Sequence, residues 1–403
     1  LGKTALAREA AGWWLRTGRL EGAVFFSFES LAGAERAVQL IGQALVGEGF
    51  SALSAEEQWQ RGVRLFQERQ VLVVWDNFES TLAAFNRAED GPLGFSDAAR
   101  ERVRQLYREL TAGTPRGRLL ITSRVADNYL GDPRLVELEG LARVDSLGLV
   151  GAVLDRRGIA VPDLPEGQWQ LDLGRLLDLL ADHPLSIELV APFLGTYLPD
   201  EICTAFGALL DQFADETAEE GRNRSLRASL AFSSRHLSAA ARAALAQLAW
   251  FSGGVFERFF LDVSEMDETS WQGVRDELAG VALVQVERLA MFNSPWLQLH
   301  PTLPYAAEPD PGLAERFVAV YAGVAQLITQ TLYGSNPGVG LVLAAREEAN
   351  LRRALGLALA HNLRAEISAI AEALDSYLQS AARVTERQVL AAWVHAQLPT
   401  LQQ

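Results

Sequence analysis

Three stretches far apart in the chain carry side chains suited to a phosphorylated ligand. Gly2-Lys3-Thr4 supplies, in succession, a conformationally permissive residue, an ammonium group and a hydroxyl. These are the last positions of the pattern G-x-x-x-x-G-K-[ST]. There, backbone N–H groups cradle phosphate, the lysine neutralises the β- and γ-phosphates and the hydroxyl ligates Mg²⁺. Only the end of the pattern is present, and the tripeptide alone reads equally well as a plain helix start. Val71-Leu72-Val73-Val74-Trp75 runs into Asp76. An apolar strand ending in a carboxylate is the Walker B arrangement, which holds that carboxylate near the Mg²⁺ water shell; an Asp there is also a common turn former. Leu119-Leu120-Ile121 leads into Thr122-Ser123-Arg124. An arginine just past a strand end can reach the γ-phosphate of a nucleotide on the same edge, or make a surface ion pair. Asn77 stands where a second carboxylate could activate water. Glu79 is the nearest other acid, read either as an alternative base or as a solvated residue.

The elements that must position these groups follow from periodicity. A helix is expected from Thr4 to about Leu15, and strands at Gly22–Phe28, Val71–Trp75, Arg118–Thr122 and Arg134–Leu138. Helices are expected over 32–46, 55–68 and 97–110, with Ser96 as a cap and Gly91-Pro92-Leu93-Gly94 as a loop. Strands alternating with helices imply a mostly parallel sheet covered on both faces. After Gly140 the pattern is helical. A break at Asp182-His183-Pro184 precedes a helix from Leu185 to Leu194, and Ser238 caps a strong amphipathic helix. Val281–Val286 and Trp296–His300 read as two short strands around Asn293-Ser294-Pro295, and helices followed by a small hairpin suggest a winged helix. From Pro311 onward the text is helical except for 334–340.

Composition narrows the function classes. Across 403 residues the net charge is −15, which opposes broad charge-driven binding to nucleic acid. A single cysteine, Cys203, excludes an internal disulfide framework and suits a reducing compartment. No apolar run reaches the length of a membrane span, and the N-terminal residues do not read as a signal peptide. The scattered histidines make no zinc site. Trp13-Trp14 reads as sheet-facing core, the acidic run Asp211–Glu220 as a solvated linker, and Arg352-Arg353 with Glu347-Glu348 as ordinary i,i+4 pairs.

Taken in order, GKT, VLVVWDN, LLITSR, DHPLSIEL and LHPTLPYAA resemble the signal-transduction ATPases with numerous domains (STAND) of NB-ARC type, over about residues 1–310. The resemblance implies a P-loop nucleotide-binding domain over 1–140, whose first strand and most of whose Walker A motif would precede Leu1. It further implies a helical domain over 141–220, a winged-helix domain over 221–310 and a tetratricopeptide-like helical array over 311–403. It gives the site residues roles. Gly2, Lys3 and Thr4 would bind phosphate, Thr4 and Asp76 the Mg²⁺ ion, and Arg124 the γ-phosphate. Pro184 would pack on adenine, and His300 would touch the ADP β-phosphate. The sequence departs from the family pattern at Asp182-His183, which stand where the family has Gly-Leu, and at Pro301, where it has Asp.

The function so implied is an ATP/ADP-controlled switch in the cytoplasm, at most a slow ATPase, with Asp76 as its catalytic carboxylate. It would self-associate on activation and receive a protein or ligand signal through its C-terminal helices. The competing readings are a DNA-binding regulator that uses the winged helix, or a helical scaffold without nucleotide. A chain starting at Leu1 is expected to bind ATP and ADP weakly, because side chains cannot replace a cradle of fixed N–H donors.

Overall fold

The computed structural model describes residues 2–28, 33–47, 49–50, 53–82, 95–126, 129–131, 133–160, 167–212, 218–299, 303, 310–381 and 383–397. The chain folds as two units. One combines Lys3–Val136 with Phe317–Gln403, and the other is built on Glu137–Arg316.

The first unit holds a parallel sheet of β1 (Gly22–Ser27), β2 (Val71–Asp76) and β3 (Arg118–Ile121), in the order β1-β2-β3. Every residue of the central β2 is buried. Alternation of side chains along a strand explains how a continuous apolar run serves two faces. Val71, Val73 and Trp75 join a core with Val38, Trp59, Phe66 and Leu106. These come from α2 (Ala34–Val46), α3 (Ala55–Glu68) and α4 (Asp97–Thr111). Leu72 and Val74 face the other way, onto Ala7, Ala11 and Trp14 of α1 (Lys3–Arg16). Trp14 is thus sheet-facing as expected, whereas its neighbour Trp13 is 48% exposed. Ser54 and Glu57 form a reciprocal capping box on α3, and Ser96 caps α4 by accepting from Ala99 N–H at 3.1 Å. Helices α2 and α3 touch at Gly62, where a Cβ would lie 2.5 Å from Val38 Cγ1.

Arg134–Leu138, expected as a fourth strand, is not one. Leu135 is 65% and Val136 70% exposed. An extended apolar run becomes a strand only where a neighbour pairs its N–H and C=O groups. Among the described residues β3 pairs with β2 alone.

Four helices, Ala314–Leu332, Pro337–Ala360, Arg364–Ser380 and Val384–Gln397, complete this unit. The expected i,i+4 pair forms between Glu348 and Arg352 at 2.7 Å, but it is part of a larger buried cluster. Glu348 and Arg352 are buried, and Arg383 reaches in from the last loop to pair with Glu348 at 2.6 Å while Arg352 also contacts Glu386. Glu347, buried as well, accepts from Tyr321 Oη at 2.6 Å and from Asn350 Nδ2 at 2.7 Å. The helical stripe predicts which residues share a face, but not that a neighbouring helix covers it.

The second unit begins with α5 (Arg143–Arg156), α6 (Gln168–Leu179), α7 (Pro184–Val190), α8 (Pro199–Gln212) and α9 (Ala218–Arg235), packed around Leu176, Ile187, Phe206 and Phe232. The acidic run Asp211–Glu220 is therefore helical at both ends rather than linker throughout; residues 213–217 lie outside the described set. Next come α10 (Ala239–Leu248), β4 (Gly254–Phe256), α11 (Glu257–Ser264), α12 (Glu268–Gly280), β5 (Val284–Glu287) and β6 (Trp296–Leu299). The three strands form an antiparallel sheet in the order β4-β6-β5. Its hairpin was legible in the sequence. The three-residue β4 was not, since Gly253-Gly254 reads as a terminator. The cap at Ser238 is as expected: its hydroxyl accepts from Ala241 N–H at 3.1 Å. Among the described residues no helix is long and apolar enough to cross a membrane.

Candidate functional site

Parallel pairing places the carboxyl ends of the strands along one edge, with Ser27 beside Asp76 and Trp75 beside Ile121. In open α/β sheets that edge is where ligands bind. The backbone leaves β2 through Asn77, whose φ of 53° and ψ of 43° are left-handed. Asparagine tolerates this conformation better than most residues. The turn feeds a 3₁₀ segment, Phe78–Thr81. Its aromatic base is Phe78 stacked on Trp75, with ring centroids 6.2 Å apart and planes 5° from parallel.

Thr122 ties this turn to the end of β3. Its N–H donates to Trp75 C=O at 2.9 Å, and its carbonyl accepts from Phe78 N–H at 3.0 Å. Its hydroxyl accepts from Asn77 N–H at 3.3 Å and donates to Asp76 Oδ1 at 2.5 Å. Asp76 is only 3% exposed. Thr4, in the first turn of α1, donates its hydroxyl to the same carboxylate, 2.9 Å from Oδ1 and 3.0 Å from Oδ2. Two hydroxyls from distant stretches of chain therefore converge on one buried carboxylate. The preceding Gly2 has a φ of 88°, a conformation that a side chain would strain. Among the described residues no ion pair involves Lys3.

Arg124 lies beyond the end of β3. Its Nε is 2.9 Å from Glu79 Oε1, and its backbone N–H donates to Glu79 Oε2 at 3.2 Å. Glu79 is 4% exposed, so the reading of a solvated residue is corrected. The turn at Asn77 folds the 3₁₀ segment back under β3, which sequence spacing does not show. Thr122 was legible as part of the strand-end triplet, but its grip on Asp76 was not.

Of the expected site residues, Lys3, Thr4, Asp76 and Arg124 belong to the unit that holds the parallel sheet. Pro184 belongs to the other unit, as the first residue of α7. There His183 caps the helix that follows the expected break, its Nδ1 accepting from Ser186 N–H at 3.3 Å. The two residues before it, Ala181 and Asp182, both have left-handed backbone, with φ of 54° and 48°. His300, Pro301, Tyr305 and Ala306 lie outside the described residues, as does the loop at 91–94.

The donors around Asp76 are all oxygen, as Mg²⁺ requires. Among the described residues no group of three or more His, Cys, Asp or Glu side chains could hold a metal by itself.

No family model and no curated protein matches the chain. Among solved structures, a STAND protein with a tetratricopeptide repeat sensor from Pyrococcus horikoshii aligns with 97% of this chain at 10% identity and a TM-score of 0.42. The chain spans 64% of the length of that structure.

Proposed function

We propose that the protein is a nucleotide-controlled signalling switch that takes ATP or ADP with Mg²⁺ at the strand-end edge of its parallel sheet. The observation that carries this reading is the Thr4 hydroxyl on the Asp76 carboxylate, a contact across 72 positions of sequence. A lysine, a hydroxyl at the start of a helix and a buried strand-end carboxylate are the side chains that a Mg²⁺–polyphosphate needs. Phosphate oxygens would meet the Lys3 ammonium and the first-turn N–H groups of α1, where the helix dipole favours negative charge. Thr4 and Asp76 would hold the cation, which when bound neutralises charge between the β- and γ-phosphates. Asp76 is the residue assigned to catalysis. Asn77 carries no carboxylate and Glu79 is engaged, so hydrolysis is slow and the bound nucleotide acts as a state marker.

In this reading the chain has four parts: P-loop domain 1–140, helical domain 141–220, winged helix 221–310 and tetratricopeptide-like array 311–403. Support for the winged helix is the helix–strand order from α10 to β6 with its β4-β6-β5 sheet. In this NB-ARC-type reading Pro184 packs on adenine and His300 meets the β-phosphate of ADP. ATP favours an open form that self-associates, and the C-terminal helices receive the signal. Asp182 and His183 in place of Gly-Leu, and Pro301 in place of Asp, give the adenine wall and the ADP contact a different chemistry from the family pattern.

Calorimetric titration of the full-length protein with ATP and ADP, with and without Mg²⁺, tests the reading. The expected result is Mg²⁺-dependent binding that Asp76→Ala weakens at least about tenfold, or ~1.4 kcal/mol. Unchanged binding in Asp76→Ala places the nucleotide elsewhere, and no binding by the wild type removes the function.

A further inference from the structure

We infer that Glu79 is a positioning residue, which holds Arg124 so that the tip of its guanidinium reads the terminal phosphate of a nucleoside triphosphate. The inference rests on the nucleotide reading above.

Both oxygens of the carboxylate are engaged with Arg124: Oε2 with the backbone N–H, Oε1 with Nε. The arginine is thus gripped at the root of its side chain and again at the near edge of its guanidinium. Among the described residues its ion pair is with Glu79, through Nε, and the Arg124 side chain is 47% exposed. The two terminal nitrogens remain as a fork, the geometry that recognises two oxygens of one phosphate. A free arginine loses much rotamer freedom when it binds; one already gripped at its stem loses less, so its contribution is pre-organised.

The holder is itself fixed. Ser80 N–H donates to Asn77 C=O at 3.0 Å and Thr81 Oγ1 to Phe78 C=O at 2.8 Å. Arg100 Nη1 donates to Thr81 C=O at 3.1 Å. Phe78 and Asn77 are bound to Thr122, which also touches Asp76. The carboxylate that would serve the cation and the arginine that would read the phosphate therefore share one hydrogen-bonded turn. The same geometry denies Glu79 the role of general base. A base must come within reach of the attacking water, and this carboxylate is 4% exposed and turned onto Arg124 through both oxygens.

The measurement is the ratio of ADP to ATP dissociation constants, obtained by calorimetry on the full-length protein with Mg²⁺ and an ATP analogue whose β–γ bridge cannot be hydrolysed. Glu79→Ala is expected to shrink that ratio about tenfold by weakening the triphosphate alone, with ADP affinity held within about twofold. Glu79→Gln, which keeps the volume and one acceptor oxygen, is expected to fall between. Arg124→Ala should lose at least as much as Glu79→Ala, and the double variant no more than Arg124→Ala, because Glu79 acts through Arg124. A lowered melting temperature with an unchanged ratio makes Glu79 a brace of the fold and overturns the inference. So does an unchanged ratio with ATP turnover lost only in the Glu79 variants, which makes it the base. No binding of either nucleotide by the wild type overturns the nucleotide reading, and this inference with it.

Discussion

Asp76 shows how a single buried carboxylate is kept in place by the hydroxyls around it. Thr122 donates to it and at the same time accepts from the backbone of the next residue, so one side chain both satisfies the acid and closes the turn. Thr122→Val keeps the shape but withdraws the donor. Leaving a buried polar group short of a partner costs about 1–3 kcal/mol, and the expected result is a lower urea midpoint at unchanged m-value. Thr4→Ala is expected to behave differently, because α1 starts at the site and Thr4 is only half-buried. Its stability loss should stay below that of Thr122→Val, while Mg²⁺-dependent nucleotide affinity drops. Equal losses of stability in the two variants would make Thr4 a structural partner of Asp76 and nothing more.

At the level of elements, the sheet edge depends on helices that approach closely enough to seal it. The α2–α3 contact at Gly62 leaves no room for a methyl group next to Val38. Overpacking of this kind costs about 1–3 kcal/mol, so Gly62→Ala should lower the urea midpoint, and an unchanged midpoint would mean that α2 and α3 can separate freely. The sequence made the three parallel strands legible because each is a short apolar run bounded by turns, β-branched or aromatic in β1 and β2 and leucine-rich in β3. It misled at Arg134–Leu138, where the same local signal meets no strand partner. It was silent at β4, where three residues are too few to show a period.

The whole molecule gains order from charge buried where the sequence shows only a helical stripe. Burial alone would raise the Glu348 carboxyl, but Arg383 and Arg352 beside it outweigh that effect and hold it below its ordinary value. The unfolded chain therefore takes up this proton at a higher pH than the folded one. The stabilisation is complete above the ordinary carboxyl range, near 4.5, and is lost as pH falls through the lower folded value. Urea melts run downward from neutral pH should show this loss in the wild type and a smaller one in Glu348→Gln. Arg383→Ala leaves Glu348 with Arg352 as its cationic partner and one oxygen short of a donor, which should cost about 1–3 kcal/mol, against an effect near zero if the cluster is in fact hydrated. The net charge of −15 also bears on the competing DNA-binding reading. A gel shift across a salt series is expected to show no salt-dependent retardation; a steep salt slope would revive that reading.

The sequence by itself determined the alternation of strands and helices, the capped helix starts at Ser96 and Ser238 and the strand-end positions of Asp76 and Arg124. Each of these is encoded within a few neighbouring residues, by periodicity, by a hydroxyl before a helix, or by a polar residue ending an apolar run. Only the tertiary structure decided that Thr4 and Thr122 meet on Asp76, that Glu79 turns inward to hold Arg124, and that Arg383 completes a buried cluster with Glu348. Those contacts join residues separated by 72, 46, 45 and 35 positions. They exist because parallel strands align their ends and packed helices close over one another. No local pattern records which distant donor will arrive at a buried acceptor.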